Sequence, residues 1–255
     1  MAEGILQAML SEGVKATDVV MAETCAERAD EMAKRYGVKV VPDVQTVVKA
    51  AGMFFLAVRP QNVDEVAVAV RPLLNERKLL VSIVAGKTLA KLRQAFGAMA
   101  RIVRVMPNLA LRVGEGMCAI CGSKNAKPAD LRAVRKILGG AGETVELKEE
   151  DFDAVTALSG SGPAYFAYME QAMMEGGVRL GLRPDVARLL AEQTMYGTAK
   201  YLRESGADLG AFIDGVCTKG GTTAAGMVKM AKPAFRKIVA DTLAAAAKRS
   251  HELAG

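Results

Sequence analysis

"LAVRPQNVDEV" (residues 56–66) holds the fold in miniature: an apolar run stops at Arg59-Pro60 and the chain restarts as a helix. The same form returns in "RVMPNLALRVGEG" (104–116), where a strand stops at Pro107-Asn108. Working outward, short apolar runs alternate with amphipathic helices as far as about residue 147. Strands are predicted at Val19–Glu23, Lys39–Val41, Met53–Val58, Leu79–Val84, Ile102–Met106, Gly116–Cys121 and Thr144–Leu147. Between them, helices are predicted near 25–36, 44–51, 61–74, 88–96 and 128–138. Asp43 and Thr88 serve as N-caps, and Gly37 and Gly97 as stops. Such alternation makes a largely parallel, doubly wound sheet of the Rossmann type.

From about residue 150 no strand pattern remains. Helices are expected at 151–157, 161–180, 184–204, 208–215, 222–230 and 233–253, with Gly181 ending one and Pro184 in the first turn of the next. The expected plan is therefore α/β over residues 1–148 and all-α over 149–255. The helical part is rich in Ala, Leu, Met and Gly and carries long apolar stripes, which suit burial against a second copy.

The opening "MAEGILQAML" (1–10) is amphipathic, with Ile5, Leu6, Met9 and Leu10 on one helix face. In a doubly wound nucleotide-binding domain, the first strand feeds a glycine-rich turn, and the next helix aims its N-terminus at the pyrophosphate. The first strand visible here, ending at Glu23, takes the second place in such a fold. A first strand and glycine turn of roughly ten residues are expected ahead of Met1.

Bulk composition narrows the chemistry. The 255 residues are 51% hydrophobic, and no window is apolar for long enough to span a membrane. Glu3 and the lack of a basic lead-in do not suit a signal peptide, so the cytoplasm is the expected compartment. A charge of +6 is spread as scattered Lys and Arg rather than in blocks. With five Tyr, seven Phe and no Trp there is little to stack on bases, so neither nucleic acid nor membrane is an expected partner. The lone histidine, His251, falls near the end of the last helix and reads as a solvated residue at its negative end. Its isolation argues against Ser-His-Asp and Cys-His catalysis and against His-rich metal sites. "MCAIC" (117–121) contains a C-x-x-C, but on a strand residues three apart face opposite ways. Cys118 and Cys121 therefore read as small buried residues, and no metal is expected.

Several stretches remain as candidates for chemistry. Strand ends line the ligand crevice of an open α/β sheet, so Arg59 either faces cofactor phosphates or caps a turn. Pro107-Asn108 marks a second strand end, suited to nicotinamide contact. In "ALSGSGPAYF" (157–166), Gly160 and Gly162 permit close approach of backbone to another helix or to a ligand. "VCTKGGTTAAGM" (216–227) is the sharpest: Gly220-Gly221 precede Thr222-Thr223 where a helix begins, aiming amides and a hydroxyl at one point. That is either a cradle for a carboxylate or phosphate, or an ordinary capped helix.

Taken in order, "AVRPQ" (57–61), "VRVMPN" (103–108), "DAVTALSGSGPAYF" (153–166), "GVRLGL" (177–182) and "GGTT" (220–223) resemble the motifs of the Δ1-pyrroline-5-carboxylate reductase family. The resemblance runs over essentially the whole chain. It implies reduction of the cyclic imine pyrroline-5-carboxylate to proline by NADPH or NADH, with NADP the family habit and NAD also possible. It implies a homodimer through the helical domain, often built into a larger ring, in which one subunit's helical domain completes its neighbour's site. Cofactor contacts fall at Ala57, Val58, Arg59, Pro60, Met106, Pro107 and Asn108. The substrate carboxylate falls on Thr218, Gly220, Gly221, Thr222 and Thr223, and the Thr223 hydroxyl touches the ring nitrogen as the catalytic contact. Glu23-Thr24 resembles the acidic ribose-binding position of NAD enzymes, whereas Arg28 suits a 2′-phosphate; Glu23 also reads simply as the helix-dipole partner of the helix that follows.

The chain departs from the family pattern in four places. Arg59 stands where Lys is usual, and Leu109-Ala110-Leu111 follow Met-Pro-Asn where Thr-Pro-Ala is usual. Lys219 replaces a proline before the paired glycines, adding a cation beside the anion site. Met1-Ala2 match only the last letters of the family's opening G-x-G-x-M-A, so the stated start reads as an internal methionine of a longer gene. Alternatives to a proline-forming reductase are a related imine or β-hydroxy-acid dehydrogenase of the same plan, or a non-catalytic dimer.

Overall fold

In a computed structural model, which describes residues 1–254, the chain forms two compact units. Residues 1–161 together with the chain from 246 onward make the first, and residues 162–245 the second. The first unit is built from α1 (Ala2–Ser11), β1 (Val20–Ala22), α2 (Ala26–Tyr36), β2 (Lys39–Val41), α3 (Val44–Ala50), β3 (Met53–Leu56) and α4 (Val63–Val70). It continues with β4 (Leu79–Ser82), α5 (Leu89–Phe96), β5 (Arg101–Pro107), β6 (Gly116–Gly122), α6 (Pro128–Gly139), β7 (Gly142–Glu146) and the short α7 (Phe152–Val155).

Strands β3 to β7 form one sheet in chain order, and β1 pairs with β2 separately. No hydrogen bonds join β1 to β3 among the described residues. All pairings are parallel except β5 with β6. Residues 108–115 connect those two strands, too few for a crossover, so the chain must turn back on itself.

Alternation along the strands explains the continuous apolar runs. Leu79, Val81, Val103, Val105, Cys118 and Ile120 face a layer that includes Ile5 and Ala8 of α1 and Val134 and Leu138 of α6. Phe54, Leu56, Leu80 and Ile102 face the other way, onto Val63, Ala67 and Val70 of α4 and Leu92 and Phe96 of α5. A sheet covered on both faces has no polar side to display. Cys118 and Cys121 accordingly lie in different clusters, and burial pushes both thiols up to about 12, which leaves them protonated and inert.

Caps behave as their chemistry requires. Asp43 accepts from the Thr46 amide at 2.7 Å and Thr88 from the Lys91 amide at 3.2 Å. Gly37 and Gly97 close their helices at φ +68° and +109°. The helix expected over 61–74 is instead three pieces, with 3₁₀ turns over Pro60–Asn62 and Arg71–Leu73 flanking α4, because Pro72 cannot continue an α-helix.

Glu3, in the first turn of α1, is only 8% exposed. Its carboxylate accepts from Tyr36 Oη at 2.8 Å, Arg28 Nη2 at 2.5 Å and Arg35 Nη1 at 3.0 Å. These bonds, the Tyr36 hydroxyl first among them, hold its carboxyl below the ordinary carboxylate range. A carboxyl so held stabilises the fold in full above its unfolded value and loses that contribution as pH falls through the lowered one. Glu3→Gln should therefore cost about 1–2 kcal/mol at neutral pH and much less in acid. Urea melts of both proteins at the two pH values check this; an equal cost at both would contradict it.

The second unit contains α8 (Gly162–Arg179), α9 (Pro184–Ser205), α10 (Leu209–Val216), α11 (Thr222–Met230) and the start of α12 (Pro233–Ala254). Its buried apolar residues are two alanines, Ala187 and Ala191 of α9. A side chain at Gly177 of α8 would lie 3.3 Å from the Ala187 methyl, so small residues set this helix contact. Phe166, Tyr168, Leu189, Tyr201 and Ile213 remain exposed, much apolar surface for one small unit. No described helix is long and apolar enough to cross a membrane.

Candidate active site

In the first unit the sequence-selected residues gather at carboxyl ends of strands. Ala57, Val58, Arg59 and Pro60 follow β3. Val58 packs into the apolar cluster around Leu56 and Val63, which leaves Arg59 outside it. The Arg59 side chain is exposed, and no described residue engages it by hydrogen bond or ion pair. Of its two readings from sequence, a cap is thus not what the side chain does: the turn closes through its backbone, Asn62 N–H donating to Arg59 O at 2.9 Å.

Met106, Pro107 and Asn108 lie at the end of β5, two strands away across β4, or about 10 Å. Asn108 exchanges two bonds with Met117 of β6: its amide donates to the Met117 carbonyl at 3.2 Å, and its Oδ1 accepts from the Met117 amide at 3.1 Å. Its Nδ2 also reaches Ser159 Oγ at 3.5 Å. After α7 the chain widens into a π turn, Thr156–Gly160, with Ser161 N–H donating to Thr156 O at 2.9 Å. A Cβ on Gly160 would lie 2.5 Å from Met106 Cε, so the close approach at this glycine is to the β5 end. Gly162, by contrast, has open space around it.

Three groups near this end were not singled out from sequence. Arg104 is buried within β5, lies 4.6 Å over the Phe152 ring and pairs with Glu149 at 2.8 Å. Glu149 also accepts from the Leu89 amide at 2.6 Å, which ties α5 to the segment before α7. Asp153 accepts from Ser250 Oγ at 2.6 Å and lies 3.1 Å from His251 Nδ1. His251 is as exposed as its position suggested, yet it has this partner. An arginine inside an apolar strand was a signal for the first pair; nothing local signalled the second.

Glu23 and Thr24 follow β1. The Glu23 amide donates to Val41 O at 3.0 Å, and its carboxylate accepts from the Cys25 amide at 3.0 Å.

In the second unit the GGTT turn opens a helix. Gly220 adopts φ +74°, and Gly221 N–H donates to Thr218 O at 2.9 Å. Helix α11 starts at Thr222 with no side chain capping it; its first helical bond from outside the turn is Ala225 N–H to Gly221 O at 3.2 Å. The amides of Thr222, Thr223 and Ala224 thus precede the helical ladder and face outward at its positive end. A Cβ on Gly221 would lie 2.4 Å from Thr218 Oγ1, so only glycine lets that hydroxyl sit against the turn. Thr218, Lys219 and Thr222 are exposed, and Thr223 is half-buried.

Residues 149–253 match the family described as pyrroline-5-carboxylate reductase dimerisation, and residues 1–86 match NADP oxidoreductase, coenzyme F420-dependent. The pyrroline-5-carboxylate reductase of a Synechocystis species is 39% identical over 99% of this chain and 94% of its own length. The chain belongs to the pyrroline-5-carboxylate reductase family. Solved structures agree. The family's structure from Coxiella burnetii superposes with a TM-score of 0.94 at 26% identity, covering 100% of this chain and 95% of its own. The one from Plasmodium falciparum, solved with NADP bound, gives 0.87 at 27% identity over 99% and 94%.

Proposed function

We propose that this protein reduces Δ1-pyrroline-5-carboxylate to L-proline with NAD(P)H, the closing step of proline biosynthesis, in the cytoplasm, where its four unpaired thiols stay reduced. The observation that carries this reading is the uncapped start of α11 behind Gly220-Gly221, within a family named for the reaction.

The chain's residues suit each part of the task. The amides of Gly220, Thr222 and Thr223 and the Thr218 hydroxyl receive the substrate carboxylate, with Gly221 shaping the turn through its bond to the Thr218 carbonyl and the helix start adding positive potential. The Thr223 hydroxyl meets the ring nitrogen. Arg59, an unengaged cation after β3, suits a cofactor phosphate, and Ala57, Val58 and Pro60 shape the same strand end. Met106, Pro107 and Asn108, held by β6 and Ser159, form a fixed wall suited to a nicotinamide ring. Residues 1–148 thus serve the nucleotide and residues 149–255 the substrate and dimerisation.

A nicotinamide held beside these residues would supply the hydride that the carbon of the C=N bond takes up. The imine nitrogen carries a proton from solvent, and the electron pair of the broken π bond becomes the amine lone pair. One reduced nucleotide and one proton are consumed for each proline. No strong acid or base is needed, so positioning is the main contribution, about 7–11 kcal/mol in favourable cases. Exposed apolar residues of the helical unit, among them Phe166, Leu189 and Ile213, supply the homodimer contact, and rings of dimers follow if a second surface engages.

Incubating the purified protein with pyrroline-5-carboxylate and NADH or NADPH tests the reading. Proline should form in step with nicotinamide oxidation, and β-hydroxy acids with the oxidised nucleotide should give no turnover. Turnover of a β-hydroxy acid without proline formation would replace this reading with the dehydrogenase one.

A further inference from the structure

The end of β1 decides which nicotinamide dinucleotide the first unit accepts. In folds of this type a carboxylate there accepts hydrogen bonds from the adenosine ribose hydroxyls, whereas a 2′-phosphate at the same place requires a cation. Glu23 supplies the carboxylate. Its oxygen already occupies the Cys25 amide at 3.0 Å, one of the backbone donors at the start of α2 that an incoming phosphate would need. The parallel register, Ala22 opposite Val41, brings Asp43 to the same end of the strand pair as a second negative charge.

The cation nearest to them along the chain is committed elsewhere. Arg28 is the one basic residue between Val20 and Glu31. Its Nη1 lies 2.6 Å from Glu31 and its Nη2 2.5 Å from the buried Glu3. Arg35 is drawn to the same Glu3 at 3.0 Å. Turning Arg28 toward a phosphate would leave the Glu3 carboxylate, buried under α2, short of its closest cation, which is costly.

We infer that this chain takes NADH in preference to NADPH, with Glu23 as the residue that selects between them and the Glu3–Arg28 pair as the device that keeps the selection one-sided. The inference rests on the reductase reading for the presence of a nicotinamide dinucleotide, and it goes beyond the family's use of both. Arg28 is thereby assigned to the fold rather than to a phosphate.

Isothermal titration of NADH and of NADPH into the protein, without substrate, tests it. NADH should bind at least about tenfold more tightly, from like-charge repulsion of the 2′-phosphate. Glu23→Ser keeps an acceptor for the Cys25 amide and should bring the two affinities to within about threefold. Equal or tighter binding of NADPH by the unaltered protein, or a ratio that Glu23→Ser leaves unchanged, would overturn the preference and leave the reductase reading standing. Failure of both nucleotides to bind would overturn the two together.

Discussion

Thr223→Ala is expected to lower kcat about 100-fold while leaving the Kd for nicotinamide dinucleotide within about twofold of its original value. Thr223 sits in the first turn of α11 and is half-buried, so its hydroxyl has a restricted set of directions. As a donor to the ring nitrogen it is worth most as that nitrogen becomes an amine. An interaction strengthened in that way lowers the barrier rather than the ground state. A loss of 100-fold corresponds to about 2.7 kcal/mol, the order seen when one preorganised donor is removed. Alanine is a good helix former, so folding should survive. Thr223→Ser keeps the hydroxyl and should retain most of the turnover. Thr222→Ala, at the exposed neighbour, removes no amide and should cost only a few-fold. Wild-type kcat in Thr223→Ala, measured under saturating substrate and nucleotide, would remove Thr223 from the reaction.

The largest loss of stability is expected at Gly142, where β7 begins. Its φ of +133° is a conformation that essentially only glycine adopts. It is paired with Gly116 of β6, and a Cβ would lie 2.0 Å from the Gly116 oxygen and 2.4 Å from its nitrogen. Backbone cannot yield as a flexible side chain can. The Gly116 amide is meanwhile bound to Ala141 O at 2.7 Å, and a Cβ on Gly116 itself would lie 2.7 Å from Leu111 Cα. Neither strand has room to shift. Gly142→Ala should cost about 3 kcal/mol or more and lower the thermal midpoint by about 6–12 °C. Gly114→Ala makes the control: φ is +79° but nothing lies within 4 Å, so only local strain of about 1–2 kcal/mol is expected. Calorimetry that found the two variants equally stable would show that the close strand approach is not what Gly142 provides.

Much of this was readable from local chemistry. Apolar runs at β3, β4 and β5 with helices between them disclose a parallel sheet, because period and punctuation are properties of neighbouring residues. Asp43 and Thr88 cap the helices they precede, and Gly220-Gly221-Thr222-Thr223 open α11 as spaced. The remainder depends on residues far apart in the chain. Arg28 beside Glu23 suits a phosphate in sequence, but Glu3, 25 positions upstream, claims it once α1 and α2 meet. Asp153 holds His251 across 98 positions, and Asn108 reaches Ser159 across 51. Among the described residues the single antiparallel pair, β5 with β6, follows from the short connection at 108–115, which makes sense only once both strands are located. At the π turn Thr156–Gly160, the Met106 methyl occupies the space a side chain at position 160 would need.

The account depends most on backbone amides at the head of α11 holding a small carboxylate while the adjoining threonine hydroxyl meets its ring nitrogen. A crystal structure of the protein with proline bound measures this directly. The carboxylate oxygens should lie about 2.7–3.1 Å from amides within residues 220–223, with the ring nitrogen in reach of Thr223 Oγ1. Proline seated elsewhere, with those amides facing only solvent or other protein atoms, would contradict it.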